Sequence, residues 1–400
     1  MHELMSVPSK AVSIDEAVRL MMGFAERTGL SSVRPPRRYL WTDAFAVCNF
    51  VGLARATGDG RYIELALRLI DQVHHVLGRH RDDDVRQGWL SRLATHEGES
   101  HPTVGGLRIG KTLPERRPEE PFDDRLEWDR DGQYFHYLTK WMYALDQTAR
   151  ATKREELNLW ARELGETAHR AFCWGPRKST DRRMRWKMSI DFSRALVPSM
   201  GQHDPLDGFI TYAQLAAATR QPEPWRGPDL REAITDFATM VDGRDWLTLD
   251  PLGLGGLLTD AYRVEQLIAQ RSLARPDLFE TLLEAALEGL SMYARQGDLQ
   301  QPASPRLAFR ELGLAIGLQA VNLMGADPTR PSGRSSNAAS IRAGVQELAP
   351  YLALGSTIEA CWLDPRQREA PTWTEHADIN DVMLATSLIP EGFLVIRPLE

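Results

Sequence analysis

Cysteine is scarce in this chain: three residues in 400, Cys48, Cys173 and Cys361, far apart and odd in number. That excludes a disulfide framework and any paired-cysteine zinc site, and it fits a reducing compartment, so the expected location is the cytoplasm. Long apolar runs are missing as well. Nothing approaches the ~18 uninterrupted apolar residues of a membrane helix, and no membrane partner is expected. The start, "MHELMSVPSKAVSIDEAVRLMMGF", has acids and Arg19 where a signal peptide needs an unbroken apolar stretch, so none is expected. Positive charge is not in excess: the formal net charge is −7, which argues against a binder of nucleic-acid backbones. A local basic run, "RKSTDRRMRWK" from Arg177 to Lys187, reads as a solvated loop. Strand signals are nearly absent too, with only "EGFLVIRP" near the C-terminus resembling a short strand.

What is present is helix, in repeated pairs. Hydrophobic residues make up 42% and charged ones 26%, enough apolar content for a large core. The run Ala44 to Ala54 is apolar almost all round, which suits a helix buried on most sides. After "TGDG", the run Arg61 to Leu77 places Ile63, Ala66, Leu67, Ile70, Val73 and Leu77 at helical spacing, with polar residues between them. The first is an inner helix and the second an outer one. "YFHYLTKWMYALDQTARATKREELNLWARELGETAHRAF" (Tyr134 to Phe172) repeats this order. So do "GFITYAQLAAATR" with "DLREAITDFATMV", and "LGLGGLLTDAYRVEQLIAQ" with "DLFETLLEAALEGLSMYARQG". "FRELGLAIGLQAVNLMGA" pairs with "SIRAGVQELAPYLALG" across a loose linker, "DPTRPSGRSSN". The terminal runs "SIDEAVRLMMGFAERTG" and "ADINDVMLATSLI" complete about twelve helices and six hairpins.

Gly253, Gly255, Gly256, Gly313 and Gly317 weaken their helices but let neighbouring backbones approach closely. The expected fold class is therefore all-α, an (α/α)6 toroid or six-hairpin barrel, with residues 1–400 forming one domain. Residues 79–128 show little helical periodicity and mix His, Arg, acids and paired glycines, so they are expected to form a long rim or lid loop.

Acids and aromatics gather where the inner helices begin. Trp41 and Asp43 precede one; Glu127, Trp128, Asp129 and Asp131 precede another. Asp191, His203, Asp204 and Asp207 surround the next start, Trp246 and Asp250 the fourth, and Trp373, Glu375, His376 and Asp378 the last. In a toroid these starts share one mouth. Indole faces stack on sugar C–H faces and carboxylates bind hydroxyls, so the expected ligand is a small carbohydrate. Asp43, Asp129, Asp131 and Asp191 are candidate acid/base carboxylates for acetal hydrolysis. Trp41, His101, Trp128, His203, Trp373 and His376 are candidate binding residues. Arg108 and Lys111 could clamp a carboxylate or phosphate, one with a bidentate fork and the other with a point charge. Each aspartate equally suits a helix N-cap, and each tryptophan a core position. "VGGLRIGK" lacks phosphate-loop spacing, no HExxH or CxxC spacing supports a metal, and there is no GxSxG elbow, so no cofactor or metal is expected.

"YLWTDAFAVCNFVGLARATGDGRYIELAL" resembles the six-hairpin glycosidases, particularly the unsaturated glucuronyl and rhamnogalacturonyl hydrolases, which carry Trp-x-Asp, an aromatic-rich inner helix, a TGD turn and a Tyr-containing outer helix. The likeness is close over about thirty residues. It implies a glycoside hydrolase in which Asp43 donates and accepts protons and Arg108 or Lys111 receives an acidic sugar. One departure stands out: that family has a further acid on an earlier hairpin, and only about forty residues precede the motif here. The second acid then falls to Asp129, Asp131 or Asp191, or the chain is permuted, or the activity differs.

Three other functions fit the same pattern. A sugar epimerase of the N-acylglucosamine epimerase type would use histidine as base, with His101, His136, His203 and His376 as candidates. A non-enzymatic helical repeat would bind peptides along a groove and tolerate Asp43→Asn. A terpene-cyclase-like toroid would need an aspartate-rich metal motif, and none is evident.

Overall fold

The computed structural model describes residues 10–177, 179, 181–219, 227–326 and 343–398. The linker "DPTRPSGRSSN", residues 340–342 of the expected helix "SIRAG", Arg220 and the first nine residues lie outside them. Among the described residues, twelve helices have eleven residues or more. In chain order they are α1 (Lys10–Arg27), α2 (Leu40–Thr57), α3 (Arg61–Leu77), α4 (Phe135–Thr152), α5 (Glu155–Phe172) and α6 (Asp204–Ala217). They continue with α7 (Arg231–Val241), α8 (Pro251–Ala269), α9 (Pro276–Gln296), α10 (Ala308–Ala326), α11 (Leu352–Leu363) and α12 (Ala377–Leu388). The chain is all-α, and the helical-hairpin repeat on which the expected (α/α)6 toroid rests is what builds it. No helix among the described residues is long and apolar enough to cross a membrane.

The described residues divide into two compact units. One comprises residues 10–24, 52–59 and 245–396. Here α8 pairs with α9, and α10 packs along α8, α11 and α12. A Cβ added to Gly255 would lie 1.9 Å from the Gly313 carbonyl oxygen, and one on Gly317 would lie 2.6 Å from the Gly255 Cα. These glycines allow α8 and α10 to touch backbone to backbone, whereas Gly256 faces open space. The expected strand "EGFLVIRP" is absent: Glu391–Leu394 is a single helical turn. Phe393, Leu394 and Ile396 are buried, and the backbone beyond the turn is satisfied by the side chains of Gln266 in α8 and of Gln270, the residue that follows α8, rather than by a ladder. Gln266 accepts the Ile396 N–H and donates to the Leu394 carbonyl, and Gln270 donates to the Ile396 carbonyl. The second helix expected after α10 is present in its described part: residues 343–348 are helical, a 3-10 turn follows at Ala349–Tyr351, and α11 continues over Leu352–Leu363.

The other unit comprises residues 25–51, 60–244 and 397–398. Dense α4 and amphipathic α5 form a hairpin whose two-residue turn puts Lys153 in the left-handed region, at φ 59°. α6 pairs with α7, and α4 lies beside α6. Lys140 to Asp207 and Asp146 to Gln214 bonds show that α4 and α6 run in the same direction with their starts together. Residues 79–128 hold two six-residue helices, Thr95–Ser100 and Asp124–Asp129, and are anchored by buried Trp89, Leu90, Leu107 and Ile109.

Short strands accompany the helices. β1 (Gln133–Tyr134) pairs antiparallel with β4 (Lys187–Met188), which pairs with β5 (Ala195–Val197); β2 (Cys173–Trp174) pairs with β3 (Arg183–Met184). Strands of two or three residues are too short to show an alternating pattern. The run Arg177 to Lys187 is therefore not simply a solvated loop. Lys187 is fully buried, its Nζ donating to the carbonyls of Glu127 at 2.6 Å and Arg130 at 2.8 Å beside the Glu127 carboxylate at 3.0 Å. Arg182 is buried against Asp236 at 3.2 Å. A buried cation is tolerated where carbonyls and a carboxylate replace its water.

Candidate active site

The start of α4 carries "YFHYLTK", in which His136 and Lys140 stand four residues apart on one helix face. The start of α6 carries Asp204 and Asp207 three residues apart. Because the two starts lie together, the faces meet in pairs. His136 Nδ1 is 3.5 Å from Asp204 Oδ1, and Lys140 Nζ is 2.8 Å from Asp207 Oδ1. The His136 side chain keeps about a quarter of its surface exposed (26%), while that of Asp204 keeps 5%. His136 Nδ1 and Asp204 Oδ2 are both buried atoms with no hydrogen-bond partner among the described residues.

The β1–β4 pairing sets an aromatic wall beside this pair. The His136 ring lies nearly parallel to Trp186, 6.2 Å away at 14°, and to Tyr134, 5.3 Å away at 28°. Tyr137 meets it edge-on at 4.9 Å. Trp186 in turn meets Trp128, which is half exposed, at 4.9 Å. Tyr137 shares a 2.6 Å hydroxyl–hydroxyl bond with Tyr39, whose ring lies under Lys111 Nζ at 5.5 Å from its centroid. Burial pushes all three phenols above the usual tyrosine range, so they are neutral hydrogen-bonding groups. Burial lowers the Lys111 ammonium, opposed by Asp129 and Asp131.

The residues singled out from the sequence take the following places. Asp43 is buried at the start of α2, with Oδ2 accepting the Tyr39 N–H at 2.9 Å and Oδ1 3.5 Å from Arg38 Nη1. Asp131 is fully buried, accepting from Arg108 at 2.6 Å and from the Gly110 N–H at 3.0 Å, with Arg81 at 3.6 Å. Asp129 is exposed. Asp191 is held by Ser189, Ser193 and Arg86; burial raises its carboxyl, but the serine hydrogen bonds and the guanidinium overcome this and bring it to about 2. Asp43, Asp131 and Asp191 thus each face a different arginine, Arg38, Arg108 and Arg86.

Arg108 is spent on Asp131 and on the carbonyls of Arg79 and Val76. His101 pairs with Glu163 at 2.6 Å, and His203 is the residue just before α6. Trp41 is buried against Phe45. In the other unit Trp373 is buried and stacked on Trp362, and His376 is exposed and meets Phe309 edge-on at 6.0 Å. Asp250 caps α8 by accepting the Gly253 N–H, and Arg310 reaches it at 2.7 Å. No group of three or more potential metal ligands occurs among the described residues. Lys140, Tyr39, Tyr134, Tyr137 and Trp186 also surround His136 and Lys111, and they are not among the residues expected from the sequence. The signal for Lys140 was its four-residue spacing from His136; Trp186 has none, because strand pairing alone brings it to α4.

No protein-family model matches the chain, and no curated protein sequence matches it. Two solved structures are similar. One is a sugar epimerase from a ruminal bacterium, 11% identical, covering 86% of this chain and 87% of its own with a TM-score of 0.47. The other is cellobiose 2-epimerase from Bacillus thermoamylovorans, 10% identical, with the same coverage of each chain and a TM-score of 0.44.

Proposed function

We propose that this chain is a carbohydrate-active enzyme of the epimerase or isomerase type, moving a proton at a sugar carbon next to a carbonyl, with His136 as the group that moves it. The single observation that carries this is the His136–Asp204 pair. A carboxylate 3.5 Å from Nδ1 acts on the ring by its charge, without a hydrogen bond between them, and so favours the proton on that nitrogen and leaves Nε2 as the base. The imidazole is partly exposed and the carboxylate buried, the division required when one group meets the substrate and the other orients it. Tyr134, Tyr137 and Trp186 supply ring faces for sugar C–H groups, and the neutral phenols supply hydroxyls for its oxygens. Hydrolysis by a carboxylate pair has less support, because Asp43, Asp131 and Asp191 are each engaged by their own arginine.

The test is incubation with a panel of aldoses and disaccharides in D2O, read by NMR. The expected result is deuterium at the carbon beside the anomeric centre together with a second epimer, both lost in His136→Gln. Undiminished turnover in that variant, or release of free sugar from glycosides without exchange, would defeat the proposal.

A further inference from the structure

Arg108 and Lys111 stand three residues apart as two cations able to hold one anion, but the fold treats them differently. All three nitrogen groups of the Arg108 guanidinium are occupied, by Asp131 and by the carbonyls of Arg79 and Val76. Lys111 Nζ makes no hydrogen bond or ion pair among the described residues, and the contact it does make is with the ring face of Tyr39. A half-buried ammonium without a counter-ion is unfavourable, since burial removes water and nothing replaces it.

The charges around it do not supply the missing partner. Asp131 is already neutralised by Arg108 and Arg81, and Asp129, which acts on Lys111 without pairing with it, is exposed. Lys187 is committed to Glu127 and adds repulsion. The tyrosine pair beside Lys111 is also incomplete: two phenols share one 2.6 Å bond, so one hydroxyl hydrogen is left to donate elsewhere. Tyr39 joins this corner to the site, because its partner Tyr137 meets the His136 ring edge-on at 4.9 Å.

We infer that Lys111 Nζ, with a hydroxyl of the Tyr39–Tyr137 pair, receives an anionic substituent, a carboxylate or a phosphate, on the sugar that His136 serves. The substrate is then an acidic carbohydrate rather than a neutral one. That the anion is carried on a sugar rests on the function proposed above; the anion site itself rests on Lys111 and the two tyrosines.

Calorimetric titration with glucose, glucuronate and glucose 6-phosphate tests this without requiring turnover. In wild type, one of the two anionic sugars is expected to bind at least about tenfold more tightly than glucose, the scale of one charge-assisted hydrogen bond. Which of them wins separates carboxylate from phosphate. The advantage should disappear in Lys111→Met, persist in Lys111→Arg and shrink with added salt. Lys111→Met is expected to fold, because the amine it removes has no partner, and its melting temperature checks that. Equal binding of all three sugars, no binding at all, or a preference that survives Lys111→Met would overturn the inference. His136→Gln should keep the preference for the anionic sugar, because Lys111 and the two tyrosines remain. Anion preference at Lys111 with no proton exchange by wild type would therefore overturn the proposed reaction alone, and exchange without anion preference would overturn the anion site alone.

Discussion

The Nε2 of His74 accepts the indole N–H of Trp141 at 3.1 Å, deep in the unit that also holds α4. Trp160 meets the same imidazole edge-on at 5.2 Å. Burial, with a smaller push from His75, holds His74 down at about 3, against an ordinary value of 6.5. Between those values the unfolded chain binds a proton that the folded chain does not. Stability is therefore full above about pH 6.5 and declines toward pH 3, at a slope approaching ~1.4 kcal/mol per pH unit for one proton. Urea unfolding at pH 7, 6 and 5 should show that decline. His74→Leu should be less stable at pH 7, because the Trp141 N–H loses its acceptor, yet show a shallower dependence on pH. An unchanged slope would place the acid sensitivity elsewhere.

Gly255 and Gly256 are adjacent in α8 and should respond in opposite directions. A methyl group on Gly255 would overlap the Gly313 carbonyl of α10, and backbone cannot step aside as a side chain can. Gly255→Ala is expected to destabilise by about 3 kcal/mol or more, through overpacking. Gly256 has nothing within 4 Å of such a methyl, so Gly256→Ala should stabilise by up to ~1 kcal/mol through helix propensity. Denaturant midpoints of the two variants check both signs at once.

These glycines also mark what the sequence makes legible. Gly255, Gly313 and Gly317 stand in apolar helical runs, and close backbone approach is the physical reason to keep glycine there. The α4–α5 hairpin is readable because a run dense in aromatic and apolar residues and an amphipathic run are separated by a short polar turn. Asp204 and Asp207 are visible as acids at a helix start. Trp186 is not, because it sits in a basic run and reaches His136 only when Lys187 pairs with Tyr134, more than fifty residues earlier in the chain. Local pattern reports the period of an element; it does not report which distant two-residue strand will pair with it.

Lys187 links that small sheet to the site's support. Its Nζ lies 5.4 Å over the Tyr134 ring and binds two carbonyls and the Glu127 carboxylate, which Arg116 also holds at 2.9 Å. Lys187→Met would fill the space but leave Glu127 buried with half its compensation and two carbonyls without a donor. Loss of one partner from such a pair is expected to lower stability by roughly 3–5 kcal/mol. Adding Glu127→Gln to Lys187→Met should recover part of that loss, because the stranded charge is then gone. Equal stability of the single and double variants in urea would show that the carboxylate is not what suffers.

Asp43 and Asp204 separate the hydrolytic and proton-exchange mechanisms. Asp43 faces Arg38 at 3.5 Å with both side chains buried, and Arg38 also donates to the Thr28 carbonyl at 2.6 Å. Asp43→Asn keeps an oxygen for the Tyr39 N–H but removes the charge opposite a buried guanidinium, so a stability loss of about 3 kcal/mol is expected. Below its lowered melting temperature, this variant should exchange sugar protons at nearly the wild-type rate. Asp204→Asn should melt close to wild type, since Asp204 Oδ2 has no hydrogen-bond partner to lose, but should lower kcat roughly 10²-fold or more by releasing the His136 tautomer. Rates and melting curves measured on the same preparations decide between them. A folded Asp43→Asn that has lost its rate, beside an Asp204→Asn that has kept it, would move the chemistry from the imidazole to the carboxylate that the Trp-x-Asp resemblance implies.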